Sequence, residues 1–201
     1  MEEMYKERKS SYCYENSNTL VNKLNIKDNE LLQKYEAKIT AAKLLGLRQK
    51  GVTGNFDSKH LIALHTYLFE DIYPFAGKFR TEDISKGVFS FAHWEYISSE
   101  LERLLKELKD ENNLENLDKD YFAQRLAYYI AEINVLHPFR EGNGRTIREF
   151  IRQLSLKNGY ILNLRKVSPE EMLAASKKSV IDTADLESIL KVCLQEMNRT
   201  S

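Results

Sequence analysis

FAQRLAYYIAEINVLHPFREGNGRTIREFIRQL, residues Phe122 to Leu154, holds two amphipathic runs joined by a short polar turn. In the first run Phe122, Leu126, Tyr129, Ile130, Ile133 and Leu136 recur at the spacing of a buried helix face. Pro138 cannot continue a helical hydrogen-bond ladder, so this helix is predicted to stop near Leu136. Gly142-Asn143-Gly144 makes a turn. A second helix is predicted from Arg145 to Leu156, with Ile147, Phe150, Ile151 and Leu154 inward. The pattern is helix, tight polar turn, helix, with reactive side chains gathered at the junction.

Working outward, three prolines and eight glycines in 201 residues leave room for long helices. Asp28 can cap a helix whose face is read as Leu31, Leu32, Tyr35, Ile39, Ala42 and Leu45, ending near Gly46. Asp57 can cap the next, with Leu61, Leu64 and Leu68 inward. Phe79 to Ala92 reads differently, its apolar residues lying between turn formers with Lys86-Gly87 near the middle, and predicts a short hairpin. A helix follows from about His93, with Trp94, Ile97, Leu101, Leu104, Leu105 and Leu108 buried, and Asp110 to Asp120 is a polar loop. Ser168-Pro169-Glu170-Glu171 has the form of a capping box. A last helix is predicted over Ala184 to Met197, burying Leu186, Ile189, Leu190, Cys193, Leu194 and Met197. The expected fold is all-α, a helical bundle with one short β-hairpin.

Thirty basic residues balance thirty acidic ones. No global field then draws the chain to nucleic acid or a membrane surface, and any phosphate affinity must be local. Neither a bilayer-spanning apolar run nor an apolar signal segment behind MEEMYKERKS is present. The two cysteines, Cys13 and Cys193, both read as lying in helical segments, fit a reduced cytoplasmic setting. The length fits one domain spanning 1–201.

The chemistry concentrates in 137–148. A glycine turn at a helix start presents backbone N–H groups where the helix dipole also favours anions, which makes Gly142, Asn143 and Gly144 a phosphate cradle. Asn143 adds a side-chain amide. Arg145 and Arg148 project from the first turns of the same helix, and their forks suit successive phosphates. Glu141 offers the hard oxygen that Mg2+ requires. His137 can accept a proton from an attacking hydroxyl. Singly, each residue has an ordinary structural reading; their joint occurrence within twelve residues favours a site.

His137 to Arg148, HPFREGNGRTIR, fills the Fic family pattern H-x-F-x-[DE]-G-N-G-R-x-x-R at every defined position. The resemblance extends to Ile72 to Arg80 (IYPFAGKFR), Ile84 to Ala92 (ISKGVFSFA) and Asn22 to Ile26 (NKLNI). It implies protein adenylyltransfer: AMP passes from ATP to a Tyr, Ser or Thr hydroxyl of a protein target, His137 being the base. Glu141 would hold Mg2+, the glycine turn would bind phosphates, and Arg145 and Arg148 would grip the β and γ phosphates. Phe139 would anchor the loop in the core. The 79–92 hairpin, through Lys86, Gly87, Phe89 and Phe91, would act as a flap over the site, registering the target by strand addition.

Ser11-Tyr12-Cys13-Tyr14-Glu15-Asn16 resembles the family's inhibitory motif [S/T]-x-x-x-E-[G/N]. On that reading the 1–27 segment carries a helix with Ser11 and Glu15 on one face, and Glu15 pairs with Arg148, misaligning ATP. Thr183 to Ser188 has similar spacing but lacks the final glycine or asparagine. Alternatives stay open: removal of AMP, transfer of another phosphate-containing group, or a nucleotide-sensing module without turnover. Modification of its own exposed tyrosine and self-association are likewise open, and no nucleic-acid or membrane partner is expected.

Overall fold

Asp28 and Asp57 open the first two helices, their carboxylates accepting the N–H groups of Leu31 and His60. In this computed structural model, which describes residues 10–86 and 89–197, the helices are α1 (Asn29–Lys50), α2 (Ser58–Phe69), α3 (Ile97–Asp110), α4 (Lys119–Leu136), α5 (Asn143–Lys157), α6 (Pro169–Lys178) and α7 (Ala184–Cys193). The hairpin pairs β1 (Ser85–Lys86) with β2 (Phe89–Ser90), Ser85 opposite Ser90 and Lys86 opposite Phe89.

α4 is the central element. Its buried residues lie on more than one face, from Phe122 and Ala123 to Ile133 and Leu136. It packs against α3, α5 and α7, while α2 bridges α5 and α1. Ile97, Leu101, Leu104, Leu105 and Leu108 line the inner face of α3. Each such buried leucine contributes about 2 kcal/mol. α6 begins with the expected capping box between Ser168 and Glu171 and has Pro169 in its first turn.

Several boundaries and faces differ from the sequence reading. α1 runs past Gly46 to Lys50, and Gly51 caps it. Its buried positions are Leu32, Glu36, Thr40 and Leu47, whereas Leu31, Tyr35 and Leu45 are 44%, 47% and 61% exposed. The buried face is thus rotated, because Glu36 and Thr40 find polar partners inside. The last helix ends at Cys193. Leu194–Glu196 becomes β4, antiparallel to β3 (Tyr160–Leu162), an additional strand pair with Leu194 opposite Leu162.

The 10–20 segment is not helical. Cys13 forms an isolated antiparallel bridge with Leu20, and Asn16 has a left-handed φ of 55°. The segment folds back on itself instead of laying a helix across the cleft. Among the described residues no helix is long and apolar enough to cross a membrane.

Candidate active site

α4 ends at His137, whose φ of 45° and ψ of 63° are left-handed. That conformation costs a non-glycine residue about 1–2 kcal/mol, and it turns the chain sharply toward the α4–α5 loop. Pro138 and Phe139 then dive inward. Phe139 is 1% exposed and stacks on the His65 ring at 3.8 Å, so it anchors the loop as the sequence implied.

Asn143 corrects one expectation. Its side chain is 2% exposed and lies back across the loop, accepting the Phe139 N–H at 2.9 Å and donating to the Phe139 carbonyl at 2.7 Å. The amide is therefore a brace and not a phosphate ligand. The cradle comes from the backbone: Thr146 N–H makes the first intrahelical bond of α5, to the Gly142 carbonyl, so the N–H groups of Asn143, Gly144 and Arg145 precede the ladder. Gly142 has a φ of 84°, and a Cβ there would lie 2.3 Å from the Phe69 ring. Glycine is required at this position by both backbone and neighbour.

The two arginines separate. Arg148 faces a cleft of about 1170 Å³ together with His137, Glu141 and Gly144. It pairs with no carboxylate among the described residues, and surrounding protein together with the Arg145 charge lowers its pKa. Arg145, read from sequence as the companion phosphate fork, turns toward α1 instead. Its Nη2 lies 2.6 Å from Glu36 Oε1 and 3.3 Å from Glu141 Oε1. The guanidinium also sits over the Phe69 ring at 4.8 Å. Glu36 in turn accepts the Tyr73 hydroxyl.

Glu141 lines the cleft. Its Oε1 accepts the Gly142 N–H at 2.8 Å and faces Arg145, while Oε2 takes no hydrogen bond among the described residues. A carboxylate held on one oxygen and open on the other suits Mg2+, which is commonly bound by one or two carboxylates plus substrate phosphates. No cluster of three or more His, Cys, Asp or Glu able to hold a metal occurs among the described residues.

His137 stacks against Phe91 at 3.9 Å, and its Nδ1 lies 3.4 Å from the Asn134 carbonyl oxygen. Since a carbonyl only accepts, the proton belongs on Nδ1 and the lone pair on Nε2. Burial lowers the pKa to about 4; the Asn134 carbonyl opposes this, and the charges of Arg80 and Lys86 add to it. The imidazole is thus neutral at pH 7 and available as a base.

Sequence reasoning missed His65, Glu36 and Arg80. His65 accepts the Gly77 N–H at Nδ1, 2.8 Å, and donates from Nε2 to the Glu141 carbonyl, 2.9 Å. Arg80 donates from Nε to the His137 carbonyl at 2.9 Å. The available signal was polarity on an otherwise buried helix face for His65 and, for Arg80, its place at the end of the IYPFAGKFR stretch; Glu36 gave none.

The proposed brake is not formed. Glu15 is exposed and no ion pair joins it to Arg148. Ser11 instead bonds Glu82, its N–H at 3.1 Å and its hydroxyl at 3.3 Å, while Tyr12 packs on Phe75. These contacts hold the segment beside the 75–82 loop. Glu187, the competing candidate, pairs with Lys191 at 2.9 Å. In the flap, Lys86 and Phe89 line the cleft with Phe91; Gly87 lies outside the described residues.

The Fic/DOC family model matches residues 55–155, a span that holds the whole α4–α5 junction. The chain belongs to the Fic/DOC family. It is 39% identical over 186 residues to the protein adenylyltransferase VbhT of Bartonella schoenbuchensis, covering 92% of this chain and 39% of that protein's length. A Salmonella typhimurium protein named "Probable protein adenylyltransferase Fic" is 33% identical over 205 residues, covering 100% of each chain.

Among solved structures, the N-terminal Fic domain of a Bartonella quintana VirB-translocated effector with bound ADP superposes with a TM-score of 0.89. The match is 28% identical and covers 93% of this chain and 95% of that one. BepC of Bartonella tribocorum with bound AMPPNP gives a TM-score of 0.87 at 25% identity, over 92% and 97%. The Fic fold is therefore common to this chain and these neighbours.

Proposed function

We propose that this Fic protein transfers AMP from ATP to a hydroxyl of a protein target. The observation that carries the reading is the His137 imidazole lining the same cleft as the open start of α5 and as Arg148, which pairs with no carboxylate among the described residues. His137 Nε2 takes the proton of the acceptor hydroxyl, whose oxygen forms a bond to the α-phosphorus as the bond to pyrophosphate breaks. The first N–H groups of α5 and the Arg148 guanidinium hold the phosphates and the charge developing on the leaving group. Arg145 acts one step back, fixing Glu141 against Glu36. Glu141 would hold Mg2+, which would supply charge neutralisation for the phosphates. The two-stranded flap leaves strand edges beside His137 on which a target segment can add.

The reading takes the Fic domain as one unit across 1–201. Free Cys13 and Cys193 suit a reducing cytoplasm. The reverse reaction, removal of AMP, would need a further carboxylate such as Glu15 at the site to hold water or metal, and gains no support with Glu15 exposed.

The test is transfer of α-labelled AMP to lysate proteins in Mg2+. The unaltered chain is expected to label at least one protein, and His137→Ala to lose labelling by at least a thousandfold while still binding ATP. Labelling that survives His137→Ala would reject the assigned base. ATP binding with no transfer by the unaltered chain would replace the transferase with a nucleotide-sensing module.

A further inference from the structure

Arg80 is the largest fully buried side chain of the described residues; its guanidinium hydrogen-bonds main-chain carbonyls, and the Asp83 carboxylate lies 3.8 Å from Nη1. Nε donates to His137 O at 2.9 Å, and Nη2 to Leu136 O at 3.1 Å and Ala92 O at 2.5 Å. Nη1 donates to Glu82 O at 2.8 Å. The Arg80 N–H adds a bond to Pro138 O at 2.9 Å. Four of these acceptors fall into two groups. Leu136 and His137 end α4, where carbonyls lack intrahelical partners and a cation is favoured. Glu82 and Ala92 are the entry and exit of the flap.

We infer that Arg80 is a positioning residue that registers the flap onto His137, so that the base and the edge receiving the target move as one body. His137 occupies a left-handed conformation that persists only where its surroundings over-determine it; Arg80 fixes its carbonyl from one side and the Phe91 ring covers its imidazole from the other. The exit of the flap is tied a second time, Ala92 N–H donating to Val135 O at 3.0 Å. Among the described residues none of these hydrogen bonds reaches the start of α5 or Arg148. Phosphate binding and flap register are therefore separable. Lysine cannot substitute, because one ammonium lacks the planar fork that reaches carbonyls on three segments.

The functional half of the inference rests on the transferase reading; the structural half does not. Arg80→Lys and Arg80→Gln in the full chain are to be compared with the unaltered protein by backbone hydrogen exchange, ATP calorimetry and labelling of lysate proteins. The expected result is exchange roughly tenfold faster or more in 82–92 and 135–137 with the α2 and α7 amides unchanged. ATP affinity should stay within about threefold while labelling falls roughly a hundredfold, as misplacement of a reacting group by about 1 Å costs. Unchanged flap exchange, or exchange rising equally throughout, overturns the proposal, as does ATP affinity falling in step with labelling. Arg80→Lys keeps the buried charge and supplies the comparison if Arg80→Gln does not fold. Should the unaltered chain label nothing, the transferase reading fails and exchange alone decides the coupling of flap and base.

Discussion

At the scale of single residues, the four histidines are set apart by their surroundings. Burial lowers His60, His65 and His137, the last two to about 4, while the Asp83 carboxylate raises the exposed His93. Titrating the free protein by NMR should therefore show one imidazole, His93, with a midpoint above 6.5 and His137 still neutral at pH 6. A His137 midpoint near 6.5 would contradict the burial argument. The two arginines differ in the same way. Arg148→Ala is expected to weaken ATP binding roughly tenfold to a hundredfold with little change in melting temperature, since it breaks no ion pair among the described residues. Arg145→Ala leaves the buried Glu36 without its cation, a loss of about 3–5 kcal/mol that should lower the melting temperature by roughly 10 °C. Calorimetry of both variants separates the roles; equal effects on ATP binding and melting would remove the distinction.

At the scale of elements, the α4–α5 junction works because each turn of the chain is held by a specific partner. Asn143 braces Phe139, His65 holds the Glu141 carbonyl, and Gly142 passes close against Phe69. Gly142→Ala is expected to cost about 3 kcal/mol from combined backbone strain and overlap and to abolish transfer; a variant that melts and transfers normally would show the loop to be adaptable. α6 offers a milder case at the far wall of the cleft. Ser168→Ala removes the Oγ that accepts the Glu171 N–H, one of the two reciprocal bonds, and should cost about 1 kcal/mol in urea unfolding. Both motifs, the glycine turn and the capping box, were readable in sequence because their bonds run between residues three or four apart. Glu36 was not, because its partners Tyr73 and Arg145 lie on other elements and a glutamate among leucines on α1 reads as solvent-facing.

For the whole molecule, buried neutral histidines tie stability to pH. The unfolded chain protonates its histidines near 6.5, whereas folded His65 and His137 stay neutral down to about 4. The unfolded state therefore binds more protons in this interval, and stability, fully present above pH 6.5, falls as pH drops from 6.5 toward 4. His65 alone accounts for roughly 3 kcal/mol of that loss; urea midpoints that stay flat from pH 7 to 4.5 would refute it. The sequence by itself determined the helical class, the end of α4 before Pro138, the flap hairpin and the twelve-residue motif, since periodicity, proline and glycine act locally along the chain. It also pointed to a brake at Ser11 and Glu15, on a spacing that has meaning only if the segment is a helix. Tertiary structure decided otherwise: the Cys13–Leu20 bridge and the Glu82 contacts favour a folded-back segment, and Glu15 is left outside. It alone decided which arginine faces the cleft, which face of α1 is buried, and that one buried guanidinium ties flap to base. Those outcomes depend on partners tens of residues away, and burial makes each unpaired polar group too costly to leave unmatched.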